Sequence, residues 1–164
     1  MYKSYYFLNR LTIELNSILA NRMIVSIFSQ EKDRLIIELD GNEELFLEVS
    51  VNRSEPFINV RNRFSRAKKN TIEFFSSLIS KTIQNVLIAS DDRIIKIVTN
   101  GGDLFFAIRG KYTNLFFKSE TLISFKNETE ENLMKFNQEF ENKFYHNSFN
   151  MIDVDLIDGL SIEE

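Results

Sequence analysis

The sequence has no cysteine and a single histidine, His146, among its 164 residues. The missing cysteines exclude a disulfide framework, a thiolate metal site and a thiol nucleophile, and one histidine cannot build a multi-histidine metal centre. No run of 18 or more apolar residues is present, so the sequence predicts no transmembrane helix. The N-terminal segment soon carries charge and lacks an apolar signal core, which predicts a cytoplasmic protein with no membrane partner.

The chain is rich in phenylalanine, and its charge is unevenly distributed. Its 16 phenylalanines and hydrophobic content of 43% are typical of a globular domain with a substantial core. Residues 1–118 carry 17 Lys and Arg against 13 Asp and Glu, whereas residues 119–164 carry 3 against 11. A mildly basic body is therefore followed by an acidic tail. This split fits a body that faces nucleic acid; on charge alone, an ordinary body followed by a solvated helix is favoured.

The first half of the chain predicts one helix followed by four strands. Leucine and isoleucine recur at helical spacing between Leu8 and Leu19, which indicates a helix with one apolar face. Four short apolar or β-branched runs follow, and Asp40-Gly41-Asn42 supplies a turn between the second and the third. These runs are RMIVSIF (22–28), RLIIELD (34–40), ELFLEV (44–49) and PFINV (56–60).

The same order restarts after residue 70. The two halves align without a gap at a shift of 59 residues, which places Asp33 on Asp92 and Arg34 on Arg93. Each unit alone would expose an apolar sheet face, so we expect the two units to pack together. The predicted fold class is α+β, with two helix-plus-four-strand repeats (5–60 and 70–118) packed as a two-sheet antiparallel sandwich. In the second repeat the helix is TIEFFSSLISKTI (71–83), and the strands are QNVLIAS (84–90), RIIKIVT (93–99), LFFAIR (104–109) and TNLFFK (113–118).

Residues 119–164 form a different kind of segment. A helical stripe of large apolar residues within residues 128–149 predicts a C-terminal helix, with Thr129 as its N-cap. This helix either folds back on the body formed by residues 1–118 or starts a following segment. Residues 151–164 still mix apolar with acidic residues, an ending that favours a fragment of a longer protein over a shortened paralogue. The stripe consists of Leu133, Phe136, Phe140 and Phe144.

Few residues suggest catalysis or metal binding. The sequence has no Gly-rich phosphate loop and no serine in a nucleophile-elbow context. Asp91 and Asp92 are adjacent carboxylates, but adjacent side chains on an extended chain point apart. Asp153, Asp155 and Asp158 resemble a cation loop that lacks the glycine and final glutamate of an EF-hand. We therefore expect a protein that is not an enzyme and that uses no cofactor and no metal.

The run RNRFSRAKK (61–69) joins the two repeats and has five basic residues, one aromatic residue and no acid. Such a run can contact phosphates, and Phe64 can stack on an unpaired base. The alternative is a solubilising linker whose Phe64 is anchored on the core. The candidate RNA-binding residues are Arg61, Arg63, Arg66, Lys68 and Lys69.

Three further segments carry a resemblance to a known family. Residues 4–39 look like the family's opening helix and first two strands, DDRIIKI (91–97) looks like its Asp-Arg motif, and GKYTNLFF (110–117) is similar to its Gly-Arg-x-Ser-Asn-x-Ile-Leu pattern. Taken in this order, they resemble the N-terminal NFACT domain of RqcH-type ribosome quality-control proteins, many of which are known as fibronectin-binding proteins. The resemblance covers residues 4 to about 118.

The resemblance implies a fold like the N-terminal domain of formamidopyrimidine-DNA glycosylase. It also implies a role on the large ribosomal subunit, where family members recruit tRNA to obstructed nascent chains. The family's functional Asp-Arg maps onto Asp92 and Arg93, and its basic or amide strand positions map onto Lys111 and Asn114. The implied partners are therefore tRNA and the large ribosomal subunit.

The chain also departs from the family pattern. Ser4 stands where the family usually has an aspartate, and only Lys81 remains of an Arg-Lys-His group in the helix before the Asp-Arg motif. A divergent member can therefore keep the fold and lose tRNA handling. Glycosylase chemistry is excluded because the second residue is Tyr2 and not proline, and because a zinc finger needs cysteine. The alternative function is a protein-interaction or adhesion-type domain without RNA affinity.

The resemblance distinguishes the two Asp-Arg pairs. An aspartate that holds an arginine fork in place prepares it for a phosphate, because guanidinium donors are planar and directional. We expect alanine at Asp92 or Arg93 to impair tRNA or ribosome association with little loss of stability. We expect alanine at Asp33 or Arg34 to change neither property.

Overall fold

A computed structural model of the protein describes residues 2–144. The chain begins with helix α1 (Tyr5–Leu19) and ends, within the described residues, with helix α2 over residues 130–144. Two 3-10 turns span Ser76–Leu78 and Gly110–Tyr112. The strands are β1 (Ile24–Glu31), β2 (Arg34–Leu39), β3 (Leu45–Ser50), β4 (Phe57–Arg61), β5 (Ile72–Glu73), β6 (Ile83–Ile88), β7 (Ile94–Thr99), β8 (Gly102–Ala107), β9 (Asn114–Lys118) and β10 (Leu122–Ser124).

The strands form two five-stranded antiparallel sheets. The first sheet has the order β4-β3-β2-β1-β5 and the second has the order β10-β9-β8-β7-β6. Strands β1 to β4 and β6 to β9 therefore follow the same meander, as the sequence repeat predicts. The predicted fold class, an α+β two-sheet antiparallel sandwich with a C-terminal helix, is confirmed.

One apolar core lies between the inner faces of the two sheets. In β2, Leu35 and Ile37 face this core, and Ile95 and Ile97 of β7 meet them from the second sheet. Alternation of apolar residues along each strand produces this result, because successive side chains of a strand point to opposite faces. The core therefore joins the two repeats into one body.

Helix α1 begins at Ser4, whose Oγ accepts a long hydrogen bond (3.5 Å) from the backbone N–H of Phe7. It ends before Asn21, which adopts a left-handed backbone conformation (φ 70°). Near its end, Asn16 Oδ1 accepts a 2.8 Å hydrogen bond from the backbone N–H of Val86 in β6. The helix therefore covers the β6 edge of the second sheet. Its buried apolar residues are Leu8, Leu15 and Leu19.

The predicted second helix over residues 71–83 is wrong. Short strand β5 pairs there with β1, and a 3-10 turn follows. Phe75 (φ 50°) and Ser80 (φ 71°) adopt left-handed conformations that interrupt a helix. The backbone N–H of Ser80 donates a 2.8 Å hydrogen bond to the carbonyl of Ile24. Pairing with β1 therefore satisfies this backbone, and the tertiary contact overrides the helical spacing of the apolar residues.

In the second strand of each unit, the gapless sequence alignment differs by one residue from the match that the structure gives. A shift of 59 residues places Leu35 on Ile94 and Ile36 on Ile95. Leu35 and Ile95 face the central core, whereas Ile36 and Ile94 belong to apolar clusters on the outer faces. A displacement by one residue exchanges the two faces of a strand.

The two Asp-Arg pairs are consequently not equivalent, and the prediction that they occupy matching positions is wrong. Asp33 lies in a two-residue turn in which Glu31 pairs directly with Arg34, and its backbone is left-handed (φ 64°). Asp92 lies in a longer connection over residues 89–93, between β6 and β7. Only the meander, and not the detail of this turn, is repeated.

Helix α2 folds back onto the outer face of the second sheet. Thr129 is its N-cap, since Thr129 Oγ1 accepts a 3.2 Å hydrogen bond from the backbone N–H of Asn132. The rings of Phe105 in β8 and Phe140 in α2 stack with centroids 4.8 Å apart. The stripe predicted from the sequence therefore buries this helix against the sheet. Residues 145–149 of the predicted helix, His146 and the acidic positions 153, 155 and 158 lie outside the described residues.

Candidate nucleic-acid interface

The basic run over residues 61–69, here called the basic strap, crosses the outer face of the first sheet. Phe64 anchors it: the Phe64 ring centroid lies 5.8 Å from that of Phe28 and 5.8 Å from that of Phe46. These rings and Ile36 form an apolar cluster on that face. The alternative in which Phe64 is anchored on the protein is therefore correct, and its ring is not free to stack on a base.

Gln30 in β1 fixes the strap at a second point. Its Oε1 accepts a 2.8 Å hydrogen bond from the backbone N–H of Ala67, and its Nε2 donates a 3.4 Å hydrogen bond to the carbonyl of Ser65. A side chain that both donates to and accepts from one segment sets the path of its backbone. The strap is therefore a positioned element, and its cations have defined places on the sheet.

Three arginines on this face lie over phenylalanine rings. The guanidinium carbon of Arg66 is 4.3 Å from the ring centroid of Phe28, and that of Arg61 is 5.3 Å from Phe64. Arg34 of β2, which the sequence analysis did not assign to this site, lies 5.6 Å from the ring of Phe57. A guanidinium over a ring face keeps its N–H groups directed sideways, where they can donate to a phosphate.

Glu48 of β3 is the carboxylate that organises two of these arginines. Its side chain is 6% exposed, and its two oxygens lie 3.5 Å from Arg34 Nη1 and 3.2 Å from Arg61 Nη1. Glu31 adds a 3.3 Å contact to Arg34, and Arg66 has a weak 3.9 Å contact to an exposed carboxylate of β5. Buried carboxylates are paired in folded proteins, and here one is shared by two cations.

The remaining three cations of the strap have no such partner. Arg63, Lys68 and Lys69 are exposed, and within residues 2–144 none of them forms an ion pair or a side-chain hydrogen bond. Their positive charge is therefore available to an anion from solution. An array of fixed and free cations on one face is the arrangement that neutralises a phosphate backbone.

The residues assigned through the resemblance lie elsewhere, at one end of the second sheet. The backbone N–H of Ile108 donates a 3.0 Å hydrogen bond to the carbonyl of Arg93, which brings the 89–93 connection beside the segment between β8 and β9. Arg93 Nη1 donates a 3.2 Å hydrogen bond to the carbonyl of Lys3. Lys111 is exposed and lies 4.9 Å over the ring of Tyr112. These two cations are at the surface.

Asp92 does not hold the guanidinium of Arg93, contrary to our expectation. It accepts a 2.7 Å hydrogen bond from the backbone N–H of Arg93, while its other oxygen lies 2.8 Å from Arg109 Nη2 and 3.2 Å from Lys143 Nζ. Partial burial favours the neutral acid. The charge of Arg109, the N–H of Arg93 and Lys143 outweigh that effect and lower the pKa of Asp92 below its ordinary value. Asp92 therefore joins the sheet to α2.

Asn114 is buried and takes part in the fold. Its Oδ1 accepts hydrogen bonds from the backbone N–H groups of Leu115 (2.8 Å) and Lys126 (2.9 Å). Its Nδ2 donates to the carbonyl of Lys126 at 3.1 Å. A 1% exposed residue with both ends of its amide engaged cannot reach an RNA in this conformation. No local sequence signal indicates this role, because the partner at Lys126 is set by the path of the chain after β10.

Other kinds of site are not formed by the described residues. Among residues 2–144, no three carboxylate, histidine or cysteine side chains converge as metal ligands would. No helix in the same range is long and apolar enough to cross a bilayer.

Comparisons with known proteins show what the fold resembles. No protein-family model matches the chain, and no curated protein is similar to it in sequence. Solved structures of similar fold include three for which this chain spans about half the length of each. The N-terminal domain of fibronectin-binding protein PavA from Streptococcus pneumoniae has 19% identity and a TM-score of 0.63, covering 76% of this chain and 55% of that one.

Two more solved structures agree. The fibrinogen-binding protein from Staphylococcus aureus has 18% identity and a TM-score of 0.65, covering 80% of this chain and 53% of that one. The N-terminal part of the fibronectin/fibrinogen-binding protein from Streptococcus suis has 19% identity and a TM-score of 0.67, covering 79% and 56%. At these identities the likeness concerns the fold alone: the chain has the fold found in these fibronectin- and fibrinogen-binding proteins.

Proposed function

We propose that the protein is an RNA-binding module and that the basic strap is its phosphate-binding surface. The observation that carries the proposal is the contrast within the strap. Phe64 and Gln30 hold its backbone on the sheet, while Arg63, Lys68 and Lys69 point unpaired into solvent. Cations positioned before binding lose less conformational entropy when a phosphate arrives.

The strap favours contacts with the phosphate backbone over contacts with bases. Phe64 packs against two other rings, and Arg61 lies over it, so that its ring is already engaged within the protein. Arginine and lysine contacts to phosphates position a nucleic acid without selecting a sequence. Binding through this surface is accordingly expected to depend strongly on salt and weakly on sequence.

The resemblance to the NFACT domain specifies the RNA more closely. It implies tRNA and the large ribosomal subunit, in a cytoplasmic ribosome quality-control factor whose role is binding and not catalysis. Arg93 and Lys111, both at the end of the second sheet, are then a second group of RNA contacts. Asp92 supports them by accepting a hydrogen bond from the backbone N–H of Arg93. Asn114 supports them indirectly, by accepting a hydrogen bond from the backbone N–H of Lys126.

The proposal is tested by titrating labelled tRNA with the protein at several salt concentrations. In the double variant Arg63→Ala/Lys68→Ala, each lost phosphate contact is expected to lower the slope of log K against log salt by about 0.7 to 0.9. The control Arg10→Ala/Lys135→Ala removes the same two residue types from exposed positions on α1 and α2. No tRNA binding at low salt, or equal slopes for both variants, contradicts the proposal.

A second candidate function is favoured by the names of the structural neighbours. The three similar structures are described as fibronectin- or fibrinogen-binding proteins. In this alternative, the domain binds fibronectin or fibrinogen and has no RNA affinity. Surface plasmon resonance on immobilised fibronectin and fibrinogen separates the two candidates. Binding there that persists in Arg63→Ala/Lys68→Ala, without any tRNA binding, supports the second.

A further inference from the structure

The open edge of the second sheet at β10 differs from the other three sheet edges. The β6 edge is covered by α1, β4 ends in Arg61 after starting behind Pro56, and β5 has only two residues, one of them Glu73. Strand β10 is also short, with three residues, but the segment TLISF (121–125) around it has neither a charge nor a proline. Natural sheets protect exposed edges with these devices, and an unprotected edge is a template for another strand.

A groove lies directly beside this edge, between β10 and α2. It has a volume of about 430 Å³, and its apolar surface comes from Leu122 in β10 and from Leu133 and Met134 in α2. Met134 is 75% exposed, and Ile123 of β10 is 45% exposed on the other side of the strand. Large apolar side chains are therefore accessible on both faces of the edge strand.

The charged part of the groove is acidic. Glu120 and Glu130 line it and form no ion pair within the described residues. Two carboxylates without a cation partner make the groove suited to a ligand that brings positive charge.

We propose that β10 accepts an added strand from a partner protein, and that this strand is a basic segment with alternating apolar residues. Side chains of an added strand alternate between the two faces of a sheet. Those on the side of Leu122 enter the groove, where they meet Met134 and the carboxylates. Those on the other side contact Ile123. This inference does not depend on the proposed RNA function, since no strap residue takes part.

The charge of the groove distinguishes a partner strand from two other possible occupants, the chain's own residues 145–164 and a second copy of the chain. Residues 145–164 carry five Asp and Glu and no Lys or Arg, so this segment is repelled by an acidic groove. A symmetric pairing of two β10 strands brings Glu120 and Glu130 of both copies to one interface, which is also unfavourable. A basic partner segment has neither penalty.

The full chain is tested with three peptide probes: KVKVKVK, EVEVEVE, and KVKVKVK with alternate backbone nitrogens methylated. We expect KVKVKVK to shift the amide resonances of residues 121–125 in NMR spectra. The acidic and the methylated peptides should bind at least about tenfold more weakly, a difference of about 1.4 kcal/mol. Ile123→Lys, which charges the edge, and Met134→Lys, which charges the groove, should each weaken binding. Ile13→Lys makes the same change at an exposed position of α1 and is the matched control.

Several outcomes overturn the proposal. Equal binding of the acidic and basic peptides removes the charge argument, and equal binding to the wild type and to both lysine variants places the peptide elsewhere. Hydrogen exchange of the free protein tests the two other possible occupants, the chain's own tail and a second copy of the chain. Concentration-independent protection of the Leu122 and Ser124 amides, which point away from β9, identifies the chain's own tail as the occupant. Protection that rises with protein concentration identifies a second copy.

Discussion

Arg109 and Asp92 form an ion pair across 17 residues of sequence, with Nη2 of the arginine 2.8 Å from Oδ2 of the aspartate. The same Nη2 lies 2.8 Å from Glu139 Oε1 in α2. One guanidinium thereby links the 89–93 connection and the end of β8 to the C-terminal helix. Lys143 extends the link through a 3.2 Å contact with Asp92. The residue that the family resemblance marks as functional is thus part of the attachment of α2.

The first prediction concerns Asp92→Asn and pH. The lowered pKa of Asp92 means that its ionised form stabilises the fold above the unfolded pKa of about 3.9, and that this contribution is lost as pH falls through the folded value. We expect Asp92→Asn to lower the free energy of unfolding by about 1 kcal/mol at pH 7, since the group is partly exposed. The deficit should vanish in acid, as measured by urea denaturation across pH. Asp33→Asn is the control, because asparagine also tolerates the left-handed conformation of this turn. A deficit that stays constant from pH 7 to pH 3 contradicts the ion-pair explanation.

The second prediction concerns Phe64→Ala, which removes the anchor of the basic strap. Loss of this half-buried ring should cost about 1 to 2 kcal/mol of unfolding free energy, less than a fully buried phenylalanine. RNA affinity should fall while the salt slope stays unchanged, because every cation is retained but the strap loses one of its two fixed points. Phe74→Ala removes another half-buried ring, one that packs on Phe125, and should affect stability alone. Wild-type RNA affinity in Phe64→Ala shows that fixing the strap is irrelevant.

The third prediction concerns Glu48→Gln and separates stability from binding. Removing the shared charge leaves Arg34 and Arg61 without their buried partner, which should cost about 1 to 3 kcal/mol. The same change adds one net positive charge to the strap surface, so that RNA affinity at low salt should rise. Glu31→Gln makes the same charge change at an exposed side chain that contacts Arg34 alone, and should destabilise less. A loss of RNA affinity together with the loss of stability in Glu48→Gln contradicts this interpretation.

The fourth prediction concerns Asn114→Ala. Three backbone groups, one buried and two partly buried, lose their partner in this variant, and we expect the free energy of unfolding to fall by about 2 to 3 kcal/mol. Lys111→Ala changes an exposed neighbour and should leave the melting temperature unchanged. Calorimetry of both variants, followed by tRNA titration at a temperature where both are folded, is the measurement. A normal melting temperature of Asn114→Ala together with weak tRNA binding shows instead that Asn114 acts in tRNA binding.

Local sequence patterns determined most of the fold. Apolar residues that alternate along short segments, joined by turns such as Asp40-Gly41-Asn42, predicted the hairpins. Helical spacing predicted α1 and the stripe of α2. These features follow from periodicities that each segment has by itself, 2 for strands and 3.6 for helices. The repetition of the meander was also visible in the sequence, because both copies need the same succession of apolar faces.

Only the tertiary structure decided the features that join distant segments. Residues 71–83 have helical spacing, yet pairing with β1 places them in a strand and a turn. The faces of β2 and β7 differ by one residue from the gapless alignment, because the connections before them close differently. Phe64 is anchored by rings 36 and 18 positions away in the sequence, and Asp92 is paired with cations in the segment after β8 and on α2. Such contacts depend on which faces meet when the sheets pack, and no local pattern contains that information.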